Sequence, residues 1–248
     1  MCRLMGYVSS EEKTLRDITG PSFDEFAALS SKHCDGWGIA TESSEATSIE
    51  LAVEPTQADH SARFKELTTG LKSDGALLHL RWATSGLTVK EGNTHPFVYG
   101  KYSFIHNGGV VPADSLNPYV DPEMLSLARG ETDSEKYFFL IMTEIEKYGE
   151  VAGILSALKI IKTNLYSSSL NAMILTPDTL YVVSEFIQER RPKGEPADYY
   201  DLFYRKDENG FLVASSGWDQ SGWAPIANHQ LVIVDRNNFG VEIQSIPN

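Results

Sequence analysis

The stretch from Thr132 to Ile161 carries the two clearest helical signals in the chain, and strand-like patterns lie on both sides of it. Thr132-Asp133-Ser134-Glu135 has the S/T-x-x-E form of a capping box, in which hydroxyl and carboxylate each satisfy a free N–H at the helix start. Behind it Phe138, Ile141, Met142 and Ile145 recur at i, i+3, i+4 and i+7, and Gly149 marks a stop. Val151, Ile154, Leu155, Leu158 and Ile161 repeat that spacing. Upstream, residues 76–82 (ALLHLRW) alternate, with Leu77, His79 and Arg81 on one face and Ala76, Leu78, Leu80 and Trp82 on the other. Shorter strand patterns cover 2–8, 36–41, 48–53 and 102–106, the last ending in Asn107-Gly108-Gly109, and short helices are expected at 23–31 and 63–71. Downstream come three hairpins, 171–175 with 180–186, 201–205 with 211–215, and 229–234 with 240–246. Between the first two, the charged, Pro-containing segment Gln188–Tyr200 is expected to be a surface loop. Strands at both ends with helices between them, and no internal repeat, predict an α+β fold with antiparallel sheets, one domain over 1–248.

Charge narrows the partners. Lys+Arg 21 against Asp+Glu 34 gives a net charge of −13, which argues against a nucleic-acid partner, since phosphate backbones are held by clustered cations. No apolar run approaches the roughly 20 residues that span a bilayer, and no signal peptide is evident, so no membrane partner and a cytoplasmic location are expected. Two cysteines, Cys2 and Cys34, are too few for a disulfide framework or a Cys-rich zinc site. Cys34 is expected to be a small buried residue, Trp37 and Trp82 to be core, and His79, His95 and His106 to be satisfied structural histidines. No metal and no cofactor are implied.

Cys2 differs from Cys34 by its position. A methionine before a small residue is normally removed, which would leave Cys2 with a free α-amine of pKa about 7.7–8.0. Thiol and base would then share one residue, as in N-terminal-threonine nucleophiles. Three further segments stand at the ends of regular elements: Arg81-Trp82-Ala83-Thr84, His106-Asn107-Gly108-Gly109 and the capped Thr132-Asp133-Ser134-Glu135. Together with Asn93-Thr94-His95-Pro96-Phe97 and Gly36-Trp37-Gly38, they resemble, over residues 2–240 in order, the glutaminase domain of class-II glutamine amidotransferases. That family belongs to the N-terminal-nucleophile hydrolases, and the chain is most similar to its standalone, single-domain members. The resemblance implies a four-layer αββα sandwich of two mainly antiparallel sheets flanked by helices. One departure is local: many relatives follow Arg-Trp-Ala-Thr with His-Gly, where this chain has Ser85-Gly86.

The roles the resemblance implies fit the chemistry of a γ-glutamyl group. Cys2 is the expected nucleophile, forming a thioester, and the Asn107 amide with the Gly108 N–H the oxyanion donors. Arg81 can hold an α-carboxylate in a bidentate pair, Thr84 can add a hydroxyl, and Asp133 can take the α-ammonium. Singly, each has a plain structural reading: a sheet arginine paired with an acid, a first-turn helix acid, an Asn-Gly turn. The expected activity is hydrolysis of a γ-glutamyl amide, with glutamine or a γ-glutamyl amide or peptide as small-molecule substrate. Standalone relatives that remove γ-glutamyl groups, as in ergothioneine biosynthesis, and the lack of room for a synthase in 248 residues favour that expectation. The alternatives are a glutaminase subunit that passes ammonia to a separate synthase partner, and a non-catalytic binding protein that keeps the fold. Oligomeric state and leaving group are not legible.

Overall fold

Alternation along the strands decides the architecture. The computed structural model describes residues 2–43, 48–84 and 86–247; Met1, Ser85 and the centre of the polar turn after residue 43 lie outside the described residues. In chain order the first half holds β1 (Arg3–Lys13), α1 (Leu15–Thr19), α2 (Phe23–Ala28), β2 (Trp37–Thr41), β3 (Glu50–Glu54), α3 (Ala62–Gly70), β4 (Ser73–Leu80), β5 (Phe97–Tyr99) and β6 (Tyr102–Val111). The short α4 (Pro122–Leu125) precedes the long pair α5 (Asp133–Tyr148) and α6 (Glu150–Asn164). Strands β7 (Tyr166–Leu175), β8 (Thr179–Ser184), β9 (Leu202–Asp207), β10 (Gly210–Ser215), β11 (Ala224–Ile226), β12 (Gln230–Asp235) and β13 (Val241–Ser245) follow.

The strands form two antiparallel sheets, one ordered β11-β9-β10-β1-β4-β2-β3 and the other β13-β12-β8-β7-β6-β5. Leu4 and Val8 of β1, Leu77 of β4 and Phe211 and Val213 of β10 face Ile105, Met173, Leu180 and Val182 of the second sheet, making a dry layer between the two. The alternate residues Met5, Tyr7, Leu78 and Leu80 pack outward under α1–α3, together with Phe23, Phe26 and Phe64. On the far side Phe104, Ala172, Ile174 and Val183 bury the apolar faces of α5 and α6, including Phe138, Ile141, Ile154 and Leu158. Period-two patterning on both sheets thus requires four layers, αββα, as the resemblance implied.

Several expectations change in detail. Strand β6 does not end at His106 but runs through Asn107-Gly108-Gly109, with a register shift against β7 between Gly108 and Val110. The dipeptide that looked like a turn is regularly paired with Asn171 and Leu170, and the bulge that follows it has its extra residue on β7, between Leu170 and Ser167. Thr132 caps α5 by accepting from the Glu135 N–H at 3.2 Å, but the reciprocal half of the box is missing. The Glu135 carboxylate instead accepts from the Arg129 and Gly130 N–H groups at 2.9 and 2.8 Å, fastening the loop before the helix. Cys34 is exposed rather than buried, because it lies in the turn that leads into β2 and not on a strand face. The segment 188–200 is not a plain surface loop either: it ends in Tyr199 and Tyr200, which are 0% and 1% exposed.

At one end of the sandwich a single buried cation ties the sheets. Arg236, just after β12, donates to the Thr176 carbonyl at 2.8 Å within its own sheet. Across the gap it reaches the Glu42 carbonyl and the Asp74 carboxylate, each at 2.8 Å. Burial pushes the neighbouring Glu42 carboxyl up to about 7, against the pull of Arg236. Because the folded value lies above the ordinary carboxylate value, ionised Glu42 costs stability above about pH 7, and that cost disappears as pH falls to the unfolded value near 4.5. Glu42→Gln is therefore expected to raise the melting temperature at pH 8 by about 2–4 °C, the shift of a 1 kcal/mol effect in a chain of this size. By pH 4.5 the two melting curves should coincide. Equal melting temperatures at pH 8 in differential scanning fluorimetry would refute this.

Candidate active site

The opposite end of the sandwich gathers the residues singled out above. Cys2 precedes the first rung of β1, Arg3 opposite Leu80, and is 9% exposed. Its backbone nitrogen donates to Asn107 Oδ1 at 2.9 Å, a bond from one sheet to the other. That bond orients the Asn107 amide, since only the oxygen can face an N–H. Asn107 Nδ2 is thereby left buried and without a hydrogen-bond partner among the described residues. Unsatisfied buried donors of this kind cost about 1–3 kcal/mol and call for an explanation.

The neighbouring backbone is shaped by glycine. A Cβ on Gly108 would stand 1.8 Å from the Ser169 carbonyl oxygen and 2.8 Å from His106 Nε2, so no larger residue fits. Gly38 has a similar role, as a Cβ there would meet the His95 carbonyl at 2.0 Å, which accounts for the second glycine of Gly36-Trp37-Gly38.

Arg81 extends the face of β4 that carries Leu77 and His79, as its alternation predicted, and is 3% exposed. Asp35 sets its position: the Asp35 carbonyl accepts from Arg81 Nη1 at 3.3 Å, and the Asp35 carboxylate accepts from the Ala83 N–H at 2.8 Å. Asp35 sits on a turn with no periodic signal, so sequence reading passed it over. Asp133, the first residue of α5, accepts from the Val110 N–H at 2.8 Å, just past the register shift between β6 and β7. Burial pushes the Asp133 carboxyl above its ordinary range, opposed by His106 and the backbone N–H of Val110. Burial likewise pushes the Cys2 thiol up, with Arg81 and a backbone hydrogen bond at Trp82 acting the other way. Cys2 Sγ donates to the Trp82 carbonyl at 3.8 Å.

Cys2, Arg81, Thr84, Gly108 and Asp133 line one tight cavity of about 30 Å³, with Trp82, Asn93, His95 and His106 among its other walls. A wider cleft of about 480 Å³ adjoins it and shares Thr84, Leu87, Gly108 and Asp133. Trp82 is thus a cavity wall, half-buried against His33, rather than core, whereas Trp37 is fully buried as expected. Asn93 joins the loop after Thr84 to the approach of α5. Its Nδ2 donates to the Thr88 carbonyl and to Glu131, and its Oδ1 accepts from the Glu131 N–H, all at 3.0 Å.

His79 and His95 stack at 4.1 Å between ring centres, His95 and His106 line the cavity, and burial holds all three below the ordinary imidazole value. His106 is satisfied through Ser134 Oγ at 2.9 Å and the Ser169 carbonyl at 3.2 Å, and His79 Nε2 meets the His106 carbonyl at 3.2 Å. His95, stacked on His79 at 4.1 Å, has no partner for either ring nitrogen among the described residues, which the reading of a satisfied histidine did not foresee. No group of three His, Cys, Asp or Glu side chains is placed to hold a metal ion among the described residues, and no described helix is long and apolar enough to cross a membrane.

The cavity offers a thiol, a buried cation and a buried anion around one small volume, while the Asn107 amide is held to the Cys2 nitrogen without being one of its lining residues. Such a set can bind a zwitterionic amino-acid end and stabilise charge developing at a carbonyl. Comparison with known proteins agrees in family. Residues 1–172 match the family model for class-II glutamine amidotransferases. The "Probable glutamine amidotransferase DUG3" of Saccharomyces cerevisiae is 33% identical over 146 residues, 53% of this chain and 40% of the yeast protein, so the match spans less than half of that relative. An uncharacterised protein of Methanocaldococcus jannaschii is 26% identical over 258 residues, covering 94% of this chain and 69% of its own length. In fold, a class-II glutamine aminotransferase domain protein from Silicibacter pomeroyi superposes over 100% of both chains with a TM-score of 0.70 at 16% identity.

The packing around Gly108 supplies a test that needs no substrate. Gly108→Ala must displace the Ser169 carbonyl of β7, so it is expected to lower unfolding stability by about 3 kcal/mol or more in urea titration, at or beyond the top of the usual range for overpacking. A loss below about 1 kcal/mol would show that β6 and β7 can separate here at little cost.

Proposed function

Because the chain belongs to the class-II glutamine amidotransferase family, we propose that it hydrolyses a γ-glutamyl amide bond through a thioester on Cys2 and releases glutamate. The observation that supports this most directly is the bond from Cys2 N to Asn107 Oδ1, which leaves Asn107 Nδ2 buried and without a partner among the described residues, next in sequence to Gly108 in the wall of the cavity that holds the thiol. After removal of Met1, the Cys2 α-amine takes the thiol proton, and Sγ forms a bond to the γ-carbonyl carbon. The carbonyl oxygen gains the negative charge and is met by Asn107 Nδ2 and the Gly108 N–H. Collapse breaks the C–N bond, and the leaving amine takes the proton from the α-ammonium of Cys2. Water, deprotonated by the Cys2 α-amine, then attacks the thioester carbonyl; collapse breaks the C–S bond, Sγ takes the proton back from the α-ammonium, and glutamate is freed.

At the other end of the substrate, Arg81 holds the α-carboxylate with help from the exposed Thr84 hydroxyl, and Asp133 holds the α-ammonium. An arriving ammonium restores the ionised form of Asp133, which burial otherwise disfavours. A glutamyl group is larger than the cavity, so it enters by displacing the wall that Thr84 and Leu87 share with the adjoining cleft.

The decisive experiment compares wild type with Cys2→Ala on a panel of γ-glutamyl amides including glutamine, reading glutamate by mass spectrometry, with intact mass reporting whether Met1 is lost. Loss of Met1, a single adduct of an electrophilic glutamine analogue on Cys2, and no turnover by Cys2→Ala are expected. Asn107→Ala should lower kcat by about 10²–10³-fold with KM little changed, whereas Arg81→Met should act chiefly on KM. Retained Met1 with no labelling would overturn the reading in favour of a non-catalytic binding protein. Strong activation of glutamine cleavage by a co-purified synthase would replace it with ammonia delivery.

A further inference from the structure

A chain terminus ordinarily frays, yet the reaction above needs its terminal residue held to within about 0.5 Å. Cys2 lies before the first rung of β1, so the sheet ladder does not fix it. Among the described residues two side chains hold its backbone: Asn107 Oδ1 accepts from the nitrogen at 2.9 Å, and Arg3 Nη1 donates to the carbonyl at 3.3 Å. Asn107 has a second task in the proposed reaction. Arg3 has none, and its surroundings are unusual.

Arg3 is 4% exposed and enters no ion pair with a described carboxylate, and its Nε has no hydrogen-bond partner among the described residues. Burial disfavours the charged guanidinium, and the carboxylates of Glu195 and Asp198 oppose this from beyond direct ion-pair contact, so its retention draws on further interactions. What it meets instead is a seat. Nη1 also donates to the Tyr199 carbonyl at 3.2 Å, and the guanidinium lies 4.3 Å above the Tyr199 ring. Tyr199 is itself fully buried at the end of the 188–200 segment. That segment is fastened by the ion pair from Lys32 to Glu195 at 2.5 Å and by Asn171 Nδ2, which donates to the Tyr200 carbonyl at 2.6 Å. One nitrogen of Arg3 therefore spans two carbonyls, that of the nucleophile and that of a segment almost two hundred residues away.

We propose that Arg3, seated on Tyr199, is the positioning residue of the N-terminal nucleophile, and that the 188–200 segment serves to hold this clamp. The clamp fixes the Cys2 carbonyl, and with it the rotation that keeps the amine on Asn107 and the thiol in the cavity. Arg3 touches neither substrate nor reacting atoms. The inference rests on the reading of Cys2 as nucleophile.

The test measures kcat and KM on γ-glutamyl-p-nitroanilide for Arg3→Met, Arg3→Lys, Tyr199→Ala and Tyr199→Phe, with circular dichroism for folding and the rate of Cys2 alkylation by an electrophilic glutamine analogue. Displacement of a reacting group by about 1 Å costs on the order of 10²-fold, and that loss is expected in kcat for Arg3→Met and for Tyr199→Ala, with KM within about threefold. Alkylation should slow in parallel. Arg3→Lys, which keeps a donor for the Cys2 carbonyl, should recover at least about tenfold, and Tyr199→Phe, which keeps both ring and carbonyl, should stay within about threefold of wild type. A folded Arg3→Met enzyme with kcat within about threefold of wild type overturns the proposal, as does a loss confined to KM or one that Arg3→Lys does not relieve. If Arg3→Met fails to fold, Tyr199→Ala decides, and near-wild-type kcat there overturns the clamp. Cys2→Ala separates the two levels: activity without the thiol refutes the nucleophile, whereas activity lost with Cys2 but kept in Arg3→Met refutes the clamp alone.

Discussion

Cys2 stands on one sheet and Asn107 on the other, and the 2.9 Å bond between them exists only because the sheets are held at a fixed separation there. The dry layer of Leu4, Leu77, Ile105 and Met173 beneath it sets that separation. Gly6 contributes by absence: a Cβ at that position would press on Leu77 Cδ2 and Met173 Sδ, both at 3.0 Å. Close packing is stiff against changes of even one methylene, so the site's geometry is a property of the apolar layer as much as of its polar residues. This is why residues so far apart in the chain can be arranged to a fraction of an ångström.

The two ends of the sandwich treat buried polarity differently. At the Arg236 end the guanidinium takes two carbonyls and a carboxylate, and Glu42 Oε2 and Ser103 Oγ are the buried atoms left without a partner among the described residues. At the Cys2 end more atoms are without a partner among the described residues: Arg3 Nε, His79 Nδ1, both nitrogens of His95 and Asn107 Nδ2. Each carries a desolvation penalty of about 1–3 kcal/mol without a matching bond. A fold whose net stability is only about 5–15 kcal/mol does not keep such a concentration at one place without a use for it. The first end is a fastening, and the second is where the proposed site lies.

Much of this was legible in the sequence, for identifiable reasons. The alternation of ALLHLRW placed Leu77, His79 and Arg81 on one face, and the structure keeps them there, because period-two patterning is decided by local burial. The helical spacing behind Thr132 and Val151 and the three C-terminal hairpins survived for the same reason. Asn107-Gly108 misled because the glycine was read for its turn propensity. In the fold its value is the missing Cβ against Ser169, a tertiary contact that no local pattern contains. Glu135 misled similarly, since a carboxylate three residues after a cap can serve either its own helix or the preceding loop. Asp35, Arg3 and Tyr199 were passed over because their importance lies in partners distant in sequence. The charged, proline-bearing character of 188–200 describes its outer side and says nothing of the two tyrosines it buries.

The position of Cys2 just before β1 has a further consequence for topology. Strand β1 is not an edge strand: it runs between β4 and β10, with Met5 opposite Leu78 on one side and Ala214 on the other. An edge position would leave the terminal residue tethered on one flank and free to fray. A central one surrounds it, but requires β10, which arrives almost at the other end of the chain, to complete the sheet. The same need recurs one residue earlier, where Cys2 passes beyond the ladder and side-chain bonds replace sheet bonds. The chain closes on its own beginning, with β10 flanking β1 and Tyr199 beneath Arg3. A residue at the start of a strand can thus be held as firmly as one inside it, where distant segments supply the constraints.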